Sequence, residues 1–219
     1  MVCVIATLGF DVDFILRRLS RSPQVSKLVC VGLKLKSDER SWVRVEQAFK
    51  LIDFYCRTSQ LNCRLEPVSS EATAREVRSI IERELREECE TVELYLTGGP
   101  RIAIVSTLLA SLTLPDDLVD RVTAVVEGEA FEARIEIPTG TLRRILHLSD
   151  LDRRILVEAS KSPVKPSELS RTLGVHKPAV YRRSEALAAM GLLKKTSSTE
   201  REYVSSETVL KLFKLVEVL

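Results

Sequence analysis

A strand-like segment that stops at two glycines and continues as a helix is the feature that most restricts how this chain folds. Val92–Leu96 is typical of a strand, and Gly98-Gly99 ends it. Pro100 then provides the fixed φ of a first helical turn and has no N–H group to leave unbonded. Such a helix presents free backbone N–H groups, and Arg101 adds a guanidinium beside them. The loop Thr97–Arg101 is therefore a candidate phosphate site, although a tight turn that needs glycine only for packing explains the same pattern.

Strand-like runs alternate with amphipathic segments along the first two thirds of the chain. The strand-like runs are Val2–Thr7, Lys27–Leu33, Cys63–Val68 and Val92–Leu96. Helical periodicity follows each of them, beginning at Asp11, Ser41, Ser70 and Arg101. Val122–Glu127 and Ala130–Ile137 then flank Gly128-Glu129, which is typical of a hairpin turn. This order predicts an α/β Rossmann-like domain, a mostly parallel sheet with helices on both faces and an antiparallel edge hairpin.

The carboxyl ends of the strands are where such sheets bind ligands. Two loops qualify, Thr7–Asp11 after the first strand and Thr97–Arg101 after the fourth, and they line one crevice if these strands are neighbours. No G-x-G-x-x-G or G-x-x-x-x-G-K-[ST] motif is present, so neither a dinucleotide nor a nucleoside triphosphate is indicated. No histidine precedes His147 and no acidic cluster has metal-ligand spacing, which argues against a metal-dependent or histidine-based hydrolase. We predict no catalytic residue, metal or cofactor.

The five cysteines are odd in number and contain no C-x-x-C pair, so the sequence predicts neither a zinc site nor a disulfide framework. No apolar run is long enough to cross a bilayer. The start of the chain lacks the basic region of a signal peptide, and we expect a cytoplasmic protein with no membrane partner.

The last third of the chain has the pattern of a second, small α+β domain. Residues 149–219 carry 13 basic and 9 acidic side chains, a net charge of +4. The residues with the spacing of a helix-turn-helix core are Leu169, Leu173, Val175, Val180 and Leu187. Two short strands around a polar tip complete a winged helix-turn-helix. We predict domains at 1–137 and 150–219 joined by a linker, 138–149. The residues expected to contact DNA are, on the recognition helix, Lys177, Tyr181, Arg182 and Arg183 and, on the wing, Lys194, Lys195 and Arg201.

Together these motifs resemble the CRISPR-associated transcription regulators of archaeal type I-A systems, whose N-terminal domain is the CRISPR-associated Rossmann fold (CARF). The resemblance implies a homodimer that binds a cyclic oligoadenylate, most often cyclic tetra-adenylate, across its two-fold axis. It also implies binding to double-stranded DNA at promoters of CRISPR-associated genes or at CRISPR leaders. The residues that match the two ligand motifs of the family are Thr7, Leu8, Gly9, Phe10 and Asp11 in the first loop and Thr97, Gly98, Gly99, Pro100 and Arg101 in the second.

Two other functions are compatible with the sequence. The resemblance also extends to CARF domains that cleave their own cyclic ligand, and Thr7, Thr97 and Arg101 have the chemistry to position a ribose hydroxyl and stabilise charge. The second domain is alternatively a scaffold that recruits protein partners. We favour the DNA-binding regulator, because a self-sufficient ring nuclease does not require a winged helix.

Overall fold

The computed structural model describes residues 1–21, 24–128, 134–196 and 202–215. The chain divides into two compact units, Met1–Gly140 and Thr141–Leu219. The boundary falls inside the segment that we expected to be a linker. Most of that segment is helical, since helix α6 covers Thr139–Leu146.

Unit 1 alternates strands and helices along the chain. Its strands are β1 Val2–Leu8, β2 Val25–Lys34, β3 Asn62–Ser69, β4 Thr91–Tyr95, β5 Val122–Glu127 and β6 Arg134–Pro138. Its helices before α6 are α1 Asp13–Arg21, α2 Glu39–Thr58, α3 Thr73–Glu87, α4 Arg101–Leu112 and α5 Asp116–Val119. The four-residue helix α5, which follows Pro115, was not predicted. The antiparallel pairing of β5 and β6 was predicted, although Glu129 of the predicted turn lies outside the described residues.

The six strands form one sheet in the order β3-β2-β1-β4-β5-β6. Every neighbouring pair is parallel except β5 and β6, which are antiparallel. This confirms the predicted Rossmann-like sheet with an antiparallel edge. β1 lies inside the sheet because its residues are almost uniformly apolar, as a strand covered on both faces requires.

Two hydrophobic cores cover the two faces of this sheet. Successive residues of β1 point to opposite faces, so Cys3 and Ile5 enter one core while Val4 and Ala6 enter the other. Helices α3 and α4 contribute to the first core and helices α1 and α2 to the second. This three-layer arrangement leaves the carboxyl-end loops of β1 and β4 at one edge of the sheet.

Two disulfides correct the prediction that the cysteines form no such framework. Cys3 is bonded to Cys89, with Cα atoms 5.9 Å apart, and Cys56 is bonded to Cys63, with Cα atoms 6.1 Å apart. The first pair is 86 residues apart in sequence, so only the fold reveals it. Cys30 is free and buried, and its burial raises the pKa of its thiol.

After α6, the described part of unit 2 contains three helices, a two-stranded antiparallel sheet and a last helix. These elements are α7 Asp150–Lys161, α8 Pro166–Leu173, α9 Lys177–Ala189, β7 Leu193–Lys195, β8 Tyr203–Ser205 and α10 Glu207–Leu215. Helix α8 ends at Gly174, which has a φ of +65° and so adopts a conformation that favours glycine. Of the five apolar residues predicted for this core, Leu169, Leu173, Val180 and Leu187 are buried, and Val175 is partly buried and packs against them.

No helix in the described parts of the chain combines the length and the apolar composition that a bilayer span requires. The longest, α2, has 20 residues, many of them charged.

Candidate functional site

The loops that follow β1 and β4 meet at the same edge of the sheet. β1 and β4 are parallel neighbours, with Ala6 opposite Tyr95, so the chain leaves both strands side by side. The buried hydroxyl of Thr7 donates a hydrogen bond to the carbonyl oxygen of Gly98, which ties the first loop to the second. The two loops predicted to line one crevice are therefore in contact.

Glycine is required at two positions of this junction for packing. Gly99 has a φ of +93°, and a Cβ atom there would lie 3.0 Å from the carbonyl carbon of Thr7. A Cβ atom on Gly9 would lie 3.0 Å from the Cα atom of Gly99. Gly98 differs, because its nearest neighbour would be the Thr7 oxygen at 3.7 Å, an ordinary contact. Packing thus explains Gly9 and Gly99 but leaves Gly98 without a structural requirement.

Helix α4 begins where the second loop ends. Pro100 is its N-cap and provides no side-chain hydrogen bond, so the N–H groups of the first turn have no side-chain cap. The first intrahelical bond runs from the N–H of Ile104 to the carbonyl of Pro100, at 3.1 Å. Arg101 is exposed and forms no ion pair within the described ranges. A positive helix end and an unengaged guanidinium together favour an anion.

A cavity of about 560 Å³ lies against these loops. Seven of its lining residues were predicted: Gly9, Phe10, Asp11, Thr97, Gly98, Gly99 and Pro100. Five were missed: Phe14, Leu33, Leu35, Ser41 and Val45. These five come from α1, from β2 and the chain after it, and from α2. Only the fold brings them to the loops, because their sequence pattern is that of ordinary core and helix residues.

Three of the predicted ligand residues, Thr7, Leu8 and Arg101, are not among the residues that line the cavity. The Leu8 side chain has no exposed surface and packs in the core, so it supports the loop from inside. The hydroxyl oxygen of Thr97 accepts a hydrogen bond from the N–H of Glu127 at 2.9 Å. One carboxylate oxygen of Asp11 accepts from the N–H of Asp13 at 2.9 Å, at the start of α1. Phe10, in contrast, is 48% exposed.

Arg44 on helix α2 is a residue that sequence reasoning did not single out. Its guanidinium lies 3.8 Å from the centre of the Phe10 ring, within the range of a cation–π contact. Its only sequence signal was a positive charge on the exposed face of a helix. Arg44 does not itself line the cavity, but it contacts Phe10, which does.

A buried charged cluster lies behind Thr97. The Glu127 carboxylate accepts hydrogen bonds from the Tyr95 hydroxyl and from Arg134, both at 2.9 Å. Burial opposes ionisation of Glu127, but the hydrogen bonds from Tyr95 and Arg134 and the charge of Arg21 outweigh it and lower its pKa. Burial and the neighbouring carboxylate raise the pKa of Tyr95 to about 12. This cluster fixes the end of β5 against the second loop.

The predicted DNA-contacting residues of helix α9 have different surroundings. Lys177 and Arg182 are exposed, and Tyr181 is half-buried. Arg183 forms a bidentate ion pair with the fully buried Asp152 of α7, with its Nε atom 2.7 Å from the carboxylate. The guanidinium of Arg183 therefore has a structural partner inside unit 2, which the sequence did not indicate.

The predicted residues of the β7–β8 hairpin also differ among themselves. Lys194 is exposed. Lys195 is paired with Glu185 at 2.9 Å and lies 5.9 Å from the centre of the Tyr203 ring. Arg201 lies outside the described residues.

One group of possible metal ligands occurs among the residues that the structure describes. Ligand atoms of Cys3, Glu84 and Cys89 lie within 4.8 Å of one another. The two sulfur atoms are bonded to each other, and Glu84 is 2.7 Å from the ammonium group of Lys27. These partners occupy the group, and it does not fit a metal.

The sheet order defines a Rossmann-like domain, and the cavity and the paired glycine loops at its carboxyl edge form a candidate ligand site. Residues 2–138 match the family described as the Csa3 CRISPR-associated Rossmann-like domain, and this chain belongs to that family. No curated protein matches. Among solved structures, the chain is similar to Can2 from Sulfobacillus thermosulfidooxidans in complex with cyclic tetra-adenylate (cA4), with 10% identity and a TM-score of 0.43. The similarity covers 96% of this chain and 61% of the length of that protein.

Proposed function

We propose that this protein is a homodimeric regulator that binds a cyclic oligoadenylate, cyclic tetra-adenylate first of all, in unit 1 and double-stranded DNA through unit 2. The observation that carries the proposal is the cavity of about 560 Å³ formed against the two glycine loops of a Csa3-family domain. Its volume lies within the range of small-molecule sites.

The chemistry of the loops suits a phosphodiester. The uncapped first turn of α4 offers backbone N–H groups, and Arg101 offers a guanidinium that chelates phosphate oxygens. Gly98 has no packing requirement for the absence of a side chain, so its lack of one is explained by close approach of a ligand to the backbone.

The helices and hairpin of unit 2 support a winged helix-turn-helix. Helix α8, the left-handed Gly174 and helix α9 have the order of a helix-turn-helix, and β7 and β8 follow as a wing. Lys177 and Arg182 on α9 are free of ion pairs within the described chain and exposed for base or phosphate contacts. We assign phosphate contact to Lys194 on the wing.

An exposed apolar stripe on α4 supports the homodimer. Ile102, Val105 and Leu109 are 49%, 57% and 53% exposed, and their spacing places them on one face of the helix. The stripe begins immediately after the second loop. A second copy packed on it brings two equivalent loops together about a two-fold axis, which matches the symmetry of a cyclic tetra-adenylate.

The output we propose is control of CRISPR-associated promoters or CRISPR leaders. A ligand that binds one dimer arrangement more tightly shifts the population of that arrangement, and with it the spacing of the two α9 helices. Strand β6 runs directly into helix α6, which crosses from unit 1 into unit 2 and offers a covalent route for that change.

No specific observation favours ring cleavage or a protein scaffold. A ring nuclease would use the hydroxyls of Thr7 and Thr97, yet both form hydrogen bonds within the loops and the sheet edge. A scaffold does not account for exposed basic side chains on α9 and the wing.

Calorimetric titration of the full-length protein with cyclic tetra-adenylate tests the ligand. We expect one ring per dimer, recovery of the intact ring, and binding weakened at least about tenfold by Arg101→Ala. Arg57→Ala, which removes an exposed arginine at the far end of α2, is the matched control and leaves affinity unchanged. Failure of every cyclic oligoadenylate to bind contradicts the proposal.

Titration with promoter and leader DNA tests unit 2. Lys177→Ala with Arg182→Ala should reduce affinity at least about tenfold and lower the salt dependence. Lys161→Ala on helix α7 is the control. Unchanged DNA affinity in the double variant favours the scaffold.

A further inference from the structure

The cavity of unit 1 has two chemically different walls. One consists of the backbone of the two glycine loops, which offers N–H groups. The other is apolar and is formed by Phe14, Leu33, Leu35 and Val45. A phosphate or a ribose can accept hydrogen bonds from the first wall. It finds no polar partner on the second wall, and burying a polar group without partners is unfavourable. The second wall therefore requires a flat, apolar part of the ligand.

The mouth of the cavity carries an exposed aromatic ring. Phe10 lines the cavity and is 48% exposed, so part of this residue is open to a ligand. Arg44 stacks on this ring at 3.8 Å and has no carboxylate partner among the described residues. Elsewhere in unit 1, arginines such as Arg18 and Arg121 are engaged with carboxylates or carbonyls.

We propose that this cavity is a nucleobase subsite, in which one adenine of the ring lies against the apolar wall and stacks on Phe10. Arg44 holds the outer face of the Phe10 ring and orients it, so Arg44 is a positioning and specificity residue of the site. This inference rests on the proposed function, because it takes the ligand to be an oligoadenylate.

Stacking on an aromatic ring explains why an arginine serves here. A planar guanidinium covers a ring face while its edge remains free for phosphate oxygens, which a lysine ammonium cannot do. Base–aromatic stacking in single-stranded nucleic-acid sites contributes about 1 to 3 kcal/mol per base, or roughly five- to 150-fold in affinity. Purines stack over a larger area than pyrimidines, so the subsite should discriminate between them.

A polar residue, Ser41, also lines the cavity and can accept a hydrogen bond from the adenine amino group. Ser41 lines the cavity, and its hydroxyl donates its proton to Asp38, the N-cap of α2. The Ser41 oxygen is consequently left as an acceptor. Adenine offers an N–H donor at its 6-position, whereas uracil offers a carbonyl oxygen at the equivalent edge.

The test compares cyclic tetra-adenylate with cyclic tetra-uridylate, which has the same phosphate ring and different bases. Binding is followed by calorimetry and by the fluorescence of Trp42, the single tryptophan, which adjoins Ser41. We expect the wild-type protein to prefer the adenylate ring at least about tenfold. Phe10→Ala and Arg44→Ala should each reduce this preference to about twofold or less, because each should weaken the adenylate ring more than the uridylate ring.

Two further variants separate stacking from charge and from general damage. Arg44→Lys keeps the charge and should not restore the preference, because it lacks the planar face. Arg57→Ala on the same helix should retain the wild-type preference. The melting temperature of each variant verifies that it is folded.

The outcomes distinguish this inference from the proposed function. Tight and equal binding of both rings supports a cyclic oligonucleotide sensor and overturns the base subsite. Equal weakening of both rings by Phe10→Ala or Arg44→Ala also overturns it, since the residues then act on the ring as a whole. Binding of neither ring to the wild-type protein contradicts the proposed function and with it the subsite.

Discussion

The adjacent glycines of the second loop should respond in opposite ways to the same substitution. Gly99→Ala should destabilise unit 1. Gly98→Ala should leave the stability of unit 1 unchanged and reduce the affinity for the cyclic oligoadenylate. The reason is that Gly99 has a φ of +93° and no room for a Cβ atom, while a Cβ atom on Gly98 meets only ordinary contacts.

The structure sets the size of the effect at Gly99. An alanine in the left-handed region costs about 1 to 2 kcal/mol. The added Cβ atom also lies 3.0 to 3.2 Å from three backbone atoms of Thr7 and Leu8, which cannot rotate away, and overpacking of this kind costs about 1 to 3 kcal/mol. The total is about 3 kcal/mol, which lowers the melting temperature of a unit of this size by about 10 °C.

Differential scanning calorimetry and cyclic tetra-adenylate titration of the two variants provide the test. Gly98→Ala should melt within about 2 °C of the wild-type protein and bind the ring about tenfold less tightly. A Gly99→Ala protein with wild-type stability would refute the argument, because the close contact between Gly99 and Thr7 would then be absent. A Gly98→Ala protein with wild-type affinity would show that no ligand approaches the backbone there.

Three other perturbations test the surroundings of the site and unit 2. Because the pKa of Tyr95 is raised to about 12 in the folded protein, its contribution to stability is complete below pH 10 and is lost as the pH rises towards 12. The melting temperature of Tyr95→Phe should therefore fall less steeply over this range. The Arg183 ion pair lowers the pKa of Asp152, whose burial opposes ionisation, so this contribution is present above the ordinary carboxyl pKa and disappears at lower pH. Arg183→Ala should lower the free energy of unfolding by about 2 kcal/mol at pH 7, measured by urea unfolding. The loss should be smaller at pH 3, which lies below the ordinary carboxyl pKa. Replacing Cys3 and Cys89 by alanine should cost about 4 kcal/mol, since the disulfide closes a loop of 86 residues; urea midpoints unchanged by the replacement would contradict it.

The two predicted loops show which parts of the site can be predicted from a single sequence. Strand and helix periodicity placed Thr7–Asp11 and Thr97–Arg101 at strand ends. Whether β1 and β4 are neighbours was left open by the sequence, and the structure shows that they are. The same reasoning treated all the loop residues as equivalent. In the structure, Leu8 is buried in the core and Gly98 borders the cavity. Local pattern specifies where a loop begins, but not which side of it faces solvent.

The sequence by itself determined the Rossmann-like sheet, its antiparallel edge and the core of unit 2, because hydrophobic periodicity is a local property that each segment carries along its own length. Only the tertiary structure decided the disulfide between Cys3 and Cys89, the ion pair of Arg183 with Asp152 and the meeting of Phe10 with Arg44. Each of these joins residues that are at least 31 positions apart. Such contacts depend on how helices and strands pack in three dimensions, and no local spacing in the chain encodes them.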